Sequence, residues 1–145
     1  MVDKIKPTIL TVCVANYCRS PVAKVILESK YGEKYCFDSA GLAPLAESNM
    51  DKRSLSFLKT KMYDTPLHAP KNISANLINS SQIVFAMDIK ILMELNHRFP
   101  KNKSKFRLLN FQKPHITIQD PYLFDKKKYN YVMEDIEEVC LSLIL

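Results

Sequence analysis

Residues 13–21 read Cys-Val-Ala-Asn-Tyr-Cys-Arg-Ser-Pro. They place a thiol, Cys13, six positions before a guanidinium, Arg19, and a helix-start signal follows at once. Ser20 is suited to the N-cap and Pro21 to the first turn. A loop of this kind can turn its backbone N–H groups inward as a nest for an oxyanion, and the helix N-terminus adds partial positive charge. Arg19 supplies a planar fork of donors that holds two phosphate oxygens. The same surroundings favour a thiolate: they lower a cysteine pKa from about 8.5 to about 3.5–7.5. A thiolate at the floor of an anion cradle is a nucleophile aimed at phosphorus. The loop is not a Gly-rich nucleotide cradle. No G-x-x-x-x-G-K-[ST] occurs, and with two glycines in the chain no G-x-G-x-x-G is possible.

The elements that position such a loop follow from periodicity. Residues 8–14 (TILTVCV) are short, β-branched and apolar, as a strand covered on both faces should be. A helix follows from Ser20, with Val22, Val25, Ile26 and Ser29 inward and Gly32 at its end. Residues 35–39 read as a second strand. Residues 50–62 read as a helix with Leu55, Leu58 and Met62 at helical spacing. Residues 82–87 (QIVFAM) form a third strand, and the helix after it carries Ile91, Leu92 and Leu95, with Asp88 as its N-cap. Residues 106–111 form a fourth strand. Residues 127–145 form a last helix with Val132, Ile136, Val139 and Leu143 on one stripe, its final Leu143-Ile144-Leu145 packing inward, and Tyr129 and Tyr131 facing its surroundings. This alternation predicts one doubly wound α/β domain over residues 1–145, a four-stranded parallel sheet with helices on both faces. Such folds bind ligands just beyond the carboxyl ends of their strands, where Cys13 lies.

Composition bounds the rest. The chain has 145 residues, 47% of them apolar and 25% charged, which suits one domain with a sizeable core. No apolar run approaches the roughly 20 residues of a membrane span. The start, MVDKIKPTIL, lacks the apolar stretch and cleavage site of a signal peptide, so a cytoplasmic protein without membrane contact is expected. The net charge of +6 favours anionic partners. The basic residues are spread out and no nucleic-acid module is present. Four cysteines, at 13, 18, 36 and 140, suit neither a disulfide scaffold nor a zinc site, and His68, His97 and His115 stand alone. No metal or organic cofactor is expected. Cys36 and Cys140 read as core. Cys18 reads either as packing or as a thiol able to trap an oxidised Cys13 as a disulfide.

The loop at 13–21 closely resembles the phosphate-binding loop of the low-molecular-weight protein tyrosine phosphatases. Ser39-Ala40-Gly41 resembles that family's second-strand exit, His68-Ala69 its His-containing loop, Met87-Asp88 the end of its third strand, and Asp120-Pro121-Tyr122 its general-acid loop. The resemblance spans nearly the whole chain. It implies that Cys13 is the nucleophile and Arg19 the phosphate clamp, while Val14, Ala15, Asn16, Tyr17, Cys18 and Ser20 complete the substrate loop. Ser20 would donate to the Cys13 sulfur. Asn16 would hold the loop through bonds reaching Ser39 and His68. Asp120 would act as general acid and then base, and Tyr122 would wall the pocket. The substrate implied is a phosphotyrosine-containing protein, a tyrosine kinase among the candidates, and the enzyme implied is a monomer.

Two departures bear on activity. The family usually has Gly where this chain has Ala15, and a left-handed conformation there would cost Ala about 1–2 kcal/mol. Tyr17 stands where a smaller aliphatic residue is common, and Leu45 near a place often held by an aromatic. Two other readings follow. One is an arsenate reductase of the same fold, which needs relay cysteines that residues 37–139 do not supply. The other is a non-catalytic phosphotyrosine or anion binder.

Overall fold

In the computed structural model, which describes residues 5–145, β1 (Thr8–Cys13) is the strand around which the rest is wound. The first residues of the segment read for a leader, 1–4, lie outside the described residues. β1 pairs in parallel with β2 (Cys36–Gly41) on one side and with β3 (Ser81–Ala86) on the other; β3 pairs with β4 (Phe106–Leu108), giving the order β2-β1-β3-β4. Ile9, Leu10 and Val12 are fully buried, as befits a central strand covered on both faces.

The chain steps from β1 to β2 on one side and returns past β1 to β3 on the other, so connections of the usual right hand put their helices on opposite faces. α1 (Ser20–Tyr31) packs on β1 and β2 and runs beside the C-terminal helix α5 (Lys126–Ser142), while α4 (Ile89–Arg98) covers β3 and β4. α2 (Lys52–Thr60) leans on α5. α1 and α5 pack together, and Val22, Val25 and Ile26 of the first and Val132, Ile136 and Val139 of the second are all buried. The chain winds outward from β1 in both directions, so the end of β1 is the switch point of the sheet. Gly41 makes the close approach there possible: a Cβ at this residue would lie 2.6 Å from the Val14 carbonyl oxygen and 2.8 Å from the Asn16 nitrogen. The segment leaving β2 then pairs with the loop after β1, with Leu42 N donating to Cys13 O and Ala43 N to Val14 O.

Several local expectations are corrected. Ser20 does not cap α1. Arg19 occupies the cap position with no side-chain cap, and the Ser20 hydroxyl is turned back toward the loop. Ser29 is exposed. Met62 lies beyond the end of α2, left-handed at φ 65° and 92% exposed. Cys36 is exposed, while Cys140 is buried. β4 ends at Leu108 and not at 111. α5 stops at Ser142 because Leu143 turns extended, its carbonyl taken by Lys30 Nζ and the Tyr31 hydroxyl. A short α3 (Ala75–Asn79) and a 3₁₀ turn at Pro100–Lys105 had no counterpart in the periodicity.

Candidate active site

The loop after β1 is shaped by Asn16. Its φ of 52° puts it in the left-handed region, which Asn tolerates better than most residues. Its side chain is used completely. Nδ2 donates to Ser20 Oγ at 2.9 Å and to Ser39 Oγ at 3.0 Å, and Oδ1 accepts from Lys71 N at 3.0 Å. The Asn16 carbonyl accepts from His68 Nε2 at 2.7 Å. Since a carbonyl only accepts, that nitrogen carries the proton. Burial, aided by Lys24 and Lys71, lowers the His68 pKa and favours the neutral ring. Ala15 has no positive φ, so the strain considered for it does not arise.

Cys13, at the C-terminal end of β1, is almost fully buried, and its Sγ lies 3.0 Å from Ser20 Oγ. Ser20 Oγ already accepts from Asn16, whose amide can only donate through nitrogen. The hydroxyl keeps its proton and a second lone pair, so it can donate to a Cys13 thiolate or accept from the thiol. Thr11 Oγ1 donates to the Ser20 carbonyl and ties the helix start to β1.

Arg19 is 2% exposed. Its Nη1 donates to Asp88 Oδ2 at 2.8 Å and to the Ile118 carbonyl at 3.4 Å. Asp88 caps α4 through Oδ1, which accepts from Ile91 N, so one carboxylate both starts a helix and orients the guanidinium. The pairing with Arg19 was not anticipated from sequence.

Cys13, Cys18 and Arg19 meet Val14, Ala15 and Leu45 around a cavity of about 190 Å³, completed by Asp120 and Tyr122 from the loop before α5. Asp120 is exposed and sits in a turn in which its Oδ1 accepts from Tyr122 N at 3.2 Å. Tyr122 is 49% exposed, and its ring meets Tyr17 edge to face at 6.3 Å. Tyr17 backs this aromatic wall without lining the cavity. Asn16, Ser20, Ser39 and His68 stand behind the loop.

Cys18 Sγ faces Asp51 Oδ2 at 3.9 Å, and burial pushes its thiol up to about 12. Asp51 and Arg53, at the start of α2, read in sequence only as part of a helix. An Asp followed two residues later by Arg at a helix start is the signal available in sequence. Among the described residues no group of three or more His, Cys, Asp or Glu side chains is placed to hold a metal ion, and no helix is long and apolar enough to cross a membrane.

A family model described as low molecular weight phosphotyrosine protein phosphatase matches residues 8–144. The chain belongs to this family. Among its relatives, the low molecular weight protein-tyrosine-phosphatase Wzb of Escherichia coli K12 is 27% identical over 129 residues, covering 89% of this phosphatase and 87% of the relative. The low molecular weight phosphotyrosine protein phosphatase of Gallus gallus is 26% identical over 148 residues, covering 94% and 93%. In structure, Vibrio vulnificus Wzb in complex with benzylphosphonate superposes with a TM-score of 0.87 at 24% identity, over 94% of this chain and 96% of that one. The YwlE arginine phosphatase from Geobacillus stearothermophilus does so with a TM-score of 0.84 at 26% identity, over 92% and 88%. The chain is thus an enzyme of the tyrosine phosphatase family, with that family's four-stranded parallel fold.

Proposed function

We propose that this phosphatase hydrolyses phosphotyrosine in proteins through a phosphocysteine on Cys13. The observation that carries the reading is the 3.0 Å contact of Cys13 Sγ with Ser20 Oγ in a cavity that Arg19 and Asp120 also line.

In this reading the Cys13 thiolate attacks phosphorus in line, the bond from phosphorus to the aryl oxygen breaks, and protonated Asp120 delivers its proton to that oxygen. Arg19, loop amides of residues 14–20 and the α1 N-terminus meet the charge on the equatorial oxygens. A water then attacks the phosphocysteine, Asp120 takes its proton, and the sulfur leaves as a thiolate stabilised by the Ser20 hydroxyl. Phosphate is released and the enzyme is restored. The wall made by Leu45 and Tyr122, with Tyr17 behind it, suits an aromatic leaving group. Residues 1–145 serve as one phosphatase domain. The enzyme works as a cytoplasmic monomer on phosphotyrosine proteins, tyrosine kinases among them.

The test compares one peptide carrying phosphotyrosine, phosphoserine or phosphoarginine. The last is included because one similar fold is an arginine phosphatase. The phosphotyrosine form should be turned over fastest, and Asp120→Ala should lower its turnover by about 10²–10⁴-fold. Faster release from phosphoarginine, or full activity in Asp120→Ala, contradicts the assignment.

A further inference from the structure

The first turn of α2 holds both halves of the site. On the phosphate-loop side, Asp51 N donates to the Tyr17 carbonyl at 3.0 Å, and Ser54 Oγ donates to the Cys18 carbonyl at 2.9 Å. On the Asp120 side the contact is made by Arg53. Its Nη2 donates to the Tyr122 carbonyl at 3.0 Å and its Nη1 to the Phe124 carbonyl at 2.7 Å. The guanidinium is itself fixed. Asp51 accepts from Nε at 3.0 Å through Oδ1 and from Nη2 at 2.9 Å through Oδ2. The Tyr129 ring lies 4.0 Å below the guanidinium carbon, and Tyr129 is fully buried. A planar five-donor group held in this way presents its remaining N–H groups in one direction, which a lysine cannot do.

Asp120 is exposed, and within its own loop its carboxylate is held by the turn to Tyr122 N. Its position over the cavity then depends on where the 120–124 segment is tied to the rest of the fold. Arg53 makes two such ties, to carbonyls two and four residues beyond Asp120. It anchors them to the same turn that grips residues 17 and 18.

We propose that Arg53 is a positioning residue for the reaction, setting the distance between Asp120 and the phosphate loop through its bonds to the Tyr122 and Phe124 carbonyls. The proposal rests on the reading of Asp120 as general acid. Misplacing an acid costs most where the leaving group needs a proton and least where it leaves as a stable anion.

The experiment measures kcat/KM, which reports formation of the phosphoenzyme, for 2,4-dinitrophenyl, p-nitrophenyl and phenyl phosphate. Wild type, Arg53→Ala, Arg53→Lys and Asp120→Asn are compared, with inhibition by inorganic phosphate measured on each. For Arg53→Ala the expected loss is about 10–100-fold on phenyl phosphate, small on the dinitrophenyl ester, with phosphate inhibition unchanged. Arg53→Lys, which keeps the charge and one donor direction, should lie between and serves if the alanine variant does not fold. Asp120→Asn should show the same dependence on leaving group, more steeply. A uniform loss across the three esters, a loss of phosphate binding, or no loss in either Arg53 variant overturns the positioning role while Asp120→Asn still vindicates the acid. A flat Asp120→Asn profile overturns the acid assignment and the proposal with it.

Discussion

In the proposed mechanism Ser20 has a chemical task that follows from its contacts. Its hydroxyl oxygen accepts from Asn16 and lies 3.0 Å from the Cys13 sulfur, where it can donate to a thiolate. A hydrogen bond to a charged group contributes about 1.5–3 kcal/mol. Ser20→Ala should therefore slow turnover by about 10–100-fold, with the larger effect on breakdown of the phosphocysteine, where the sulfur must leave. Burst kinetics with p-nitrophenyl phosphate checks this, since an accumulating phosphoenzyme gives a burst of nitrophenolate followed by a slower steady state. Unchanged turnover would remove Ser20 from the reaction. Asp88 carries the complementary lesson. The sequence supports its role as helix cap, and the cap is present. Its second oxygen, bonded to Arg19, depends on a contact between residues 69 positions apart, which no local pattern encodes.

At the scale of elements, what was legible followed from local physics. The β-branched run before Cys13 and the alternation of strands and helices suffice for the parallel sheet, with Cys13 at its carboxyl edge. What was missed depends on contacts distant in sequence. The end of α5 is set by Lys30 and Tyr31 taking the Leu143 carbonyl, and by Gln112 bonding the backbone of Ile144. α3 has five residues, too few to display a period. The pairing of Arg53 with the carbonyls of residues 122 and 124 joins α2 to a loop about 70 residues later. The loop carrying His68 makes a pH prediction. The folded pKa of His68 lies below its usual 6.5 because burial disfavours the charged ring. Its contribution to stability is complete above that value and is lost as pH falls below it toward the folded value. His68→Gln keeps an N–H for the Asn16 carbonyl without titrating. Urea midpoints should fall more in wild type than in His68→Gln between about pH 7 and pH 5. Parallel curves would contradict the assignment.

At the scale of the whole molecule, the fold brings four distant segments to one edge. β1 and its loop supply the thiol and guanidinium, the β2 exit supplies Ser39 and the close approach at Gly41, the segment around His68 supports the loop, and the loop before α5 supplies Asp120. None of these segments forms a site alone, and the central strand holds the first of them in a rigid core. A net charge of +6 adds a general attraction for phosphorylated substrates. In the proposed mechanism phosphorus passes through Cys13. The most direct measurement is rapid acid quench during turnover of an aryl phosphate, with reductant and EDTA present, followed by mass spectrometry of the digested protein. A phosphocysteine mechanism leaves phosphate on Cys13 in wild type, and neither adduct on residue 13 nor turnover in Cys13→Ala. Phosphate on another residue, or sustained turnover by Cys13→Ala, would contradict it.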